Sequence, residues 1–146
     1  MLTSPHQPLS DLILEIFRVN GLLLAWGNGL TSGHGLSSSL WQVLGAVSKE
    51  PMTLAGIARF MGLTRQSVRR SAQLLEKRGL VAFEPNPEHK RAHLVRMTDQ
   101  GQEALARISA DYHQATEAVA QSLGPKDADH ARALLHKLGN LFESLE

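Results

Sequence analysis

Five residues with long hydrogen-bonding side chains, Arg65, Gln66, Arg69, Arg70 and Gln73, follow Thr64 at i, i+1, i+4, i+5 and i+8. On a helix capped by Thr64, that spacing gathers them on one side and leaves Val68, Ala72 and Leu75 on the other. Arginine can bond two acceptors on a guanine edge and glutamine can bond adenine, so the set has the chemistry to read bases in a major groove. Arg65, Gln66 and Arg69 are expected to approach bases, and Arg70 to serve mainly phosphates. The same side chains would also suit a surface helix kept soluble by long polar groups.

The charge distribution favours the first reading. From Met52 to Met97 there are nine basic residues against three acidic ones, a net of +6, while the remaining hundred residues carry six basic and eleven acidic, a net of −5. A positive block inside an otherwise acidic chain is what a phosphate-binding surface needs, because each neutralised phosphate releases counterions. Lys90 and Arg91 close a second basic group in the turn-rich stretch from Pro85 to Arg91. It lies between Leu80–Glu84 and His93–Met97, whose alternating apolar residues predict a hairpin with a basic tip. Directly after a base-reading helix, such a ribbon is placed to lie in the adjacent minor groove, where arginine meets an enhanced negative potential. On its own, a charged hairpin tip is equally a device against edge-to-edge aggregation.

The elements that must hold these residues are mostly helical. Leu9, Leu12, Ile13, Ile16, Phe17, Asn20, Leu23 and Leu24 recur at helical spacing. They predict a long helix from about Ser10 to Trp26, stopped by Gly27, Gly29, Gly33 and Gly35. Ser37 is the expected cap of a second helix ending near Ser48, and Thr53 that of a short third helix closed by Gly62. Only one residue then separates Gly62 from Thr64, so the third and fourth helices are joined by the tight turn of a helix-turn-helix. The fourth runs to about Arg78 and is closed by Gly79. Thr98-Asp99-Gln100 opens a long helix through about Leu123, and Gly124-Pro125 breaks it before a last helix ending at Phe142 or Leu145.

Several other chemistries are excluded. Cysteine is absent, which removes disulfides, thiolate nucleophiles and cysteine-based zinc sites. The seven histidines form no HExxH pattern, so neither a metal site nor any cofactor is expected. No nucleophile elbow, glycine-rich phosphate loop or carboxylate constellation supports an enzyme. Without an export signal or a run of about 18 apolar residues, a cytoplasmic location with no membrane partner is expected.

The residues from Leu36 to Gly101 resemble the MarR family of winged helix-turn-helix transcription regulators. The likeness is carried by Thr53-Leu54-x-x-Ile57-Ala58, by Leu75-x-Lys77-Arg78-Gly79-Leu80-Val81 leading into the wing, and by Met97-Thr98-x-x-Gly101 after it. It implies a mainly α fold with a small β-wing. In that layout, residues 36–98 form the winged DNA-binding region, and residues 1–35 and 99–146 the helical dimerisation region. It further implies a homodimer that presents two winged regions to successive major grooves of a palindromic operator on double-stranded DNA. Members commonly respond to small aromatic or anionic effectors, for which Arg18, Trp26, His34 and Trp41 are the candidate lining residues. Core packing of both tryptophans is the simpler assignment. The cysteine-free chain does not fit the thiol-based, peroxide-sensing branch.

Two departures stand out. The family's wing usually has Asp, any residue, then Arg, whereas this chain has His89-Lys90-Arg91. Glu88 is the nearest carboxylate in sequence to replace the missing anion, and a protonated His89 would add attraction to phosphate. Gly56 lies inside the third helix, where glycine costs about 0.5–1 kcal/mol against alanine, and close packing on a neighbouring helix is the expected reason. The last helix carries Leu134, Leu138, Leu141 and Leu145 as a stripe, and with the first helix this is more apolar surface than one chain can cover. A dimeric repressor released by an effector follows as the expected function. The alternative is a winged-helix protein-interaction module without sequence-specific DNA binding.

Overall fold

The computed structural model describes residues 4–146, in the order α1 (His6–Ser32), α2 (Ser38–Ala46), β1 (Met52–Thr53), α3 (Leu54–Met61), α4 (Arg65–Lys77), β2 (Val81–Asn86), β3 (His89–Met97), α5 (Asp99–Leu123) and α6 (Pro125–Glu143). The chain divides into two compact units, Met1–Ser109 and Ala110–Glu146, with the boundary inside α5. The fold is mainly α with one three-stranded antiparallel sheet of order β1-β3-β2.

The core of the first unit is built from the apolar face of each short helix. Val43, Leu44, Ile57, Val68, Ala72, Leu75, Val95 and Ile108 are fully buried, so α2, α3, α4, the sheet and the start of α5 share one cluster. Burying each such aliphatic side chain contributes about 1.5–3 kcal/mol, which is what fixes α4 with its opposite face outward.

The helix ends follow the caps read from the sequence. Ser37, Thr53 and Thr64 each accept a backbone N–H of the following turn, from Leu40, Gly56 and Ser67 respectively. Gly62 and Gly79 close α3 and α4 with φ of 66° and 74°, a conformation glycine adopts without steric penalty. The α4–β2 corner and the start of α5 are tied by residues of the last two motifs. Thr98 Oγ1 donates to the Gly79 carbonyl at 2.6 Å and accepts from Gly101 N–H at 3.1 Å. Gly101 lies so close to the Leu80 carbonyl that any Cβ would collide with it.

Two expectations are corrected and one further element emerges. First, α1 is not stopped by Gly27 or Gly29 but continues to Ser32. Gly27 is glycine for proximity rather than termination: it is buried where α1 meets α2, and a Cβ there would collide with Ser38 Oγ. Second, Gly56 packs not on a neighbouring helix but on the β1 residues, since a Cβ would lie 3.1 Å from Thr53 Oγ1 and 3.6 Å from Met52 Cε. Third, β1 went unread, because two residues are too few to show a period, and Thr53 both ends that strand and caps α3. Met52 and Thr53 pair with Val95 and Leu94 of β3.

In the second unit the rest of α5 leads through Gly124, at φ 79°, into α6, whose first turn carries Pro125. No residue of α6 is buried, and Leu134, Leu135, Leu141, Phe142 and Leu145 are exposed. In the first unit, α1 likewise exposes Leu14, Phe17, Leu22 and Leu23.

Candidate nucleic-acid interface

The α3–α4 turn orients everything that follows. Leu63 N–H reaches back to the Ala58 carbonyl at 2.8 Å, and Thr64 then starts α4, its carbonyl accepting Ser67 Oγ at 2.9 Å. With Val68, Ser71, Ala72 and Leu75 turned inward, Arg65, Gln66, Arg69, Arg70 and Gln73 are all exposed. Thr64 itself is exposed at the helix start. No acidic residue occupies the first turn of α4, so its positive end is not neutralised locally.

The wing is a longer hairpin than expected. The strands run to Asn86 and from His89, leaving Pro87 and Glu88 as the turn, closed by Glu88 N–H donating to Asn86 Oδ1 at 3.0 Å. Lys90 and Arg91 therefore lie on β3 and not in the loop at the tip. The reason is the irregularity at Pro85: pairing passes from Glu84↔Leu94 to Asn86↔His89, absorbing the residues that looked like loop. Arg91 forms no ion pair with Glu88 or any other described residue, so the missing aspartate is not replaced.

The basic block divides into engaged and available cations. Arg96 Nε bonds Glu84 Oε2 at 3.0 Å across the wing, and Arg78 donates to the Gly35 carbonyl, so both act within the chain. Arg65, Arg69, Arg70, Lys90 and Arg91 take part in no ion pair among the described residues. An anionic partner would thus find these five exposed cations without displacing a protein carboxylate.

A groove of about 540 Å³ opens between α2 and α4, lined by Ser37, Ser39 and Leu40 on one wall and by Leu63, Thr64, Gln66, Ser67, Arg70, Ser71 and Leu74 on the other. In the sequence it is signalled only by the run Ser37-Ser38-Ser39, which locally resembles no more than a helix cap. None of the four effector candidates lines it. Arg18 is exposed on α1 and hydrogen-bonded to Glu15, which raises the guanidinium pKa and lowers that of the carboxyl. Trp26 lies on α1, His34 is half-buried in the α1–α2 turn, and Trp41 packs against the core beside Gly27. Among the described residues no cluster of histidine and carboxylate side chains suits a metal ion, and no helix is long and apolar enough to cross a membrane.

A helix-turn-helix whose second helix faces outward, followed by an antiparallel wing, defines the winged helix-turn-helix class. A MarR family model matches residues 34–92 of this chain. An uncharacterized protein of Mycobacterium bovis is 28% identical over 130 residues, covering 89% of this chain and 91% of that one. The transcriptional activatory protein BadR of Rhodopseudomonas palustris is 28% identical over 144 residues, covering 92% of this chain and 78% of BadR. Among solved structures, CouR of Rhodococcus jostii RHA1 bound to p-coumaroyl-CoA matches with a TM-score of 0.79 at 23% identity, over 88% of this chain and 92% of CouR. That last likeness is one of fold.

Proposed function

We propose that the protein is a homodimeric, sequence-specific binder of double-stranded DNA that represses transcription from a palindromic operator and is released by a small effector. The observation that carries this reading is the outward face of α4: Arg65, Gln66, Arg69, Arg70 and Gln73 are exposed, while its inward face is locked into the core. Arg65, Gln66 and Arg69 are assigned to base edges, Arg70 to phosphate, and Lys90 and Arg91 to the strand beside the wing. The exposed apolar residues of α1 and the absence of any buried residue in α6 support a second copy of the chain as their cover. A regulatory ligand is supported by CouR, which was solved bound to p-coumaroyl-CoA. Arg18, Trp26, His34 and Trp41 are the residues proposed to meet such a ligand here.

Selection from a random duplex library, followed by titration of the selected duplex against random competitor, tests the reading. A palindromic consensus bound at least about a thousandfold more tightly than random DNA is expected. Equal affinity for both would instead favour a winged helix used for protein interaction. A reporter fused to the selected site sets the sign of regulation, with higher output on deletion of the protein expected for a repressor.

A further inference from the structure

Resting on that reading, we propose that the wing is a proton-dependent grip on DNA: His89 and His93, flanking Lys90 and Arg91, add phosphate contacts only when protonated, so affinity rises as the pH falls. The geometry begins at Pro85, which has no N–H to give to the ladder. Pairing runs regularly from Val81↔Met97 to Glu84↔Leu94 and resumes at Asn86↔His89, so Lys90, Arg91, Ala92 and His93 stand opposite Pro85 alone. The strand therefore bulges there, and a bulge leaves its extra residues unpaired and re-aims their side chains. Every residue from His89 to His93 is exposed. Two fixed cations and two imidazoles thus reach solvent on one short stretch of the wing.

Imidazole is the one side chain that ordinarily changes charge between about pH 5 and 8. What surrounds these two decides the sign. Of the elements packed most closely on β3, β1 carries no ionisable side chain, α3 carries only Arg59, and β2 only Glu84. The Glu84 carboxylate is already bonded to Arg96 Nε at 3.0 Å. Glu88, in the turn beside His89, is exposed and forms no ion pair, so water screens it. With Lys90 and Arg91 as near neighbours on the strand, an imidazolium in the free chain gains little from any protein anion, and a DNA phosphate is the partner that favours its charge. His89 and His93 make no side-chain hydrogen bond or ion pair among the described residues, so no internal bond has to break for either to turn to the strand of DNA.

The test is a fluorescence-anisotropy titration of the selected duplex and of a random duplex from about pH 8 to about pH 5.5 at fixed ionic strength, with circular dichroism verifying the fold at each pH. For wild type, affinity for both duplexes is expected to rise about tenfold for each histidine, the fold-change a neighbouring phosphate confers when it favours the charged form by about one pH unit. At the lower pH the slope of log K against log salt is expected to be steeper by about 0.9 for each histidine engaged. His89→Gln combined with His93→Gln should lose the rise. His89→Arg combined with His93→Arg should bind at about pH 8 as tightly as wild type does at about pH 5.5, and change little with pH. Of the seven histidines the other five remain in both variants, so a rise that survives in the glutamine variant belongs to them and overturns the proposal. Wild-type binding that is flat with pH would overturn it and leave DNA reading intact, whereas no binding at any pH would remove both. A rise confined to the selected duplex would overturn the phosphate assignment.

Discussion

Gly27→Ala reverses the sign that helix propensity alone would give. In the middle of a long helix, replacing glycine by alanine ordinarily stabilises by about 0.5–1 kcal/mol. At Gly27 the new methyl would drive into Ser38 Oγ, which already donates to the Leu24 carbonyl at 2.7 Å. Overpacking at such a contact costs about 1–3 kcal/mol. Losing the Ser38 bond adds about 1 kcal/mol. After subtracting the propensity gain, a net destabilisation of about 1–3 kcal/mol is expected, or a fall in Tm of about 2–4 °C per kcal/mol for a chain of this size. Gly29→Ala in the same helix is the control. Nothing lies within 4 Å of a Cβ there, so that variant should match or exceed wild type. Urea unfolding at one fixed protomer concentration measures both, since subunit association would otherwise shift the midpoint. Adding Ser38→Ala removes the colliding oxygen and leaves Ser38 Cβ at 3.6 Å, so the double variant should recover stability relative to the sum of the single effects. If Gly27→Ala proved as stable as Gly29→Ala, the close crossing of α1 on α2 would be wrong.

The remaining expectations concern binding and assembly. Arg69→Ala should weaken operator binding by about 1–3 kcal/mol and relax preference at one base pair, whereas Arg91→Ala should lower affinity on all sequences and reduce the salt slope by about one, both by anisotropy. An equal loss on every sequence from Arg69→Ala would reassign it to phosphate. Thr64→Ala removes the acceptor for Ser67 N–H and should cost about 0.5–2 kcal/mol of stability in urea unfolding. Phe17→Asp places a charge on a side chain that is 68% exposed in the single chain. If α1 is covered by a second copy, sedimentation equilibrium should show dissociation to monomers; an unchanged mass would exclude that residue from the interface.

Short-range signals carried most of the fold. Ser37, Thr53 and Thr64 were legible as caps because each satisfies an amide only three residues ahead, and Gly62 and Gly79 were legible as closures for the same local reason. Along α4, the buried set Val68, Ala72 and Leu75 was given by period alone. What escaped was long-range. Gly27 looks like a stop in sequence, and only the partner helix shows it to be a contact point. Arg96 counts as a free positive charge until Glu84, twelve residues away, is seen to bond it. The groove needed two walls separated by some thirty residues, and its serines read locally as nothing more than a cap.

These long-range contacts also constrain how any signal could reach α4. Its N-terminal end is set by the Thr64 cap and the Gly62 turn, and its C-terminal end by Arg78, whose guanidinium holds the Gly35 carbonyl in the turn after α1. The same turn enters α2, which is pinned to α1 by Gly27, by Ser38 on Leu24 and by Asn28 on Ser38 N–H. Helix α4 is thus tied to the α1–α2 turn through Arg78 and to α1 by way of α2, with a shared buried core between α2 and α4. Close-packed interiors shift as blocks and do not deform continuously. In the proposed dimer, a ligand that moves α1 would carry α2 and α4 with it and change the spacing of two reading helices without bending either one. Arg78→Ala tests that coupling: operator affinity should be retained if the head stays folded, while effector-induced release should weaken.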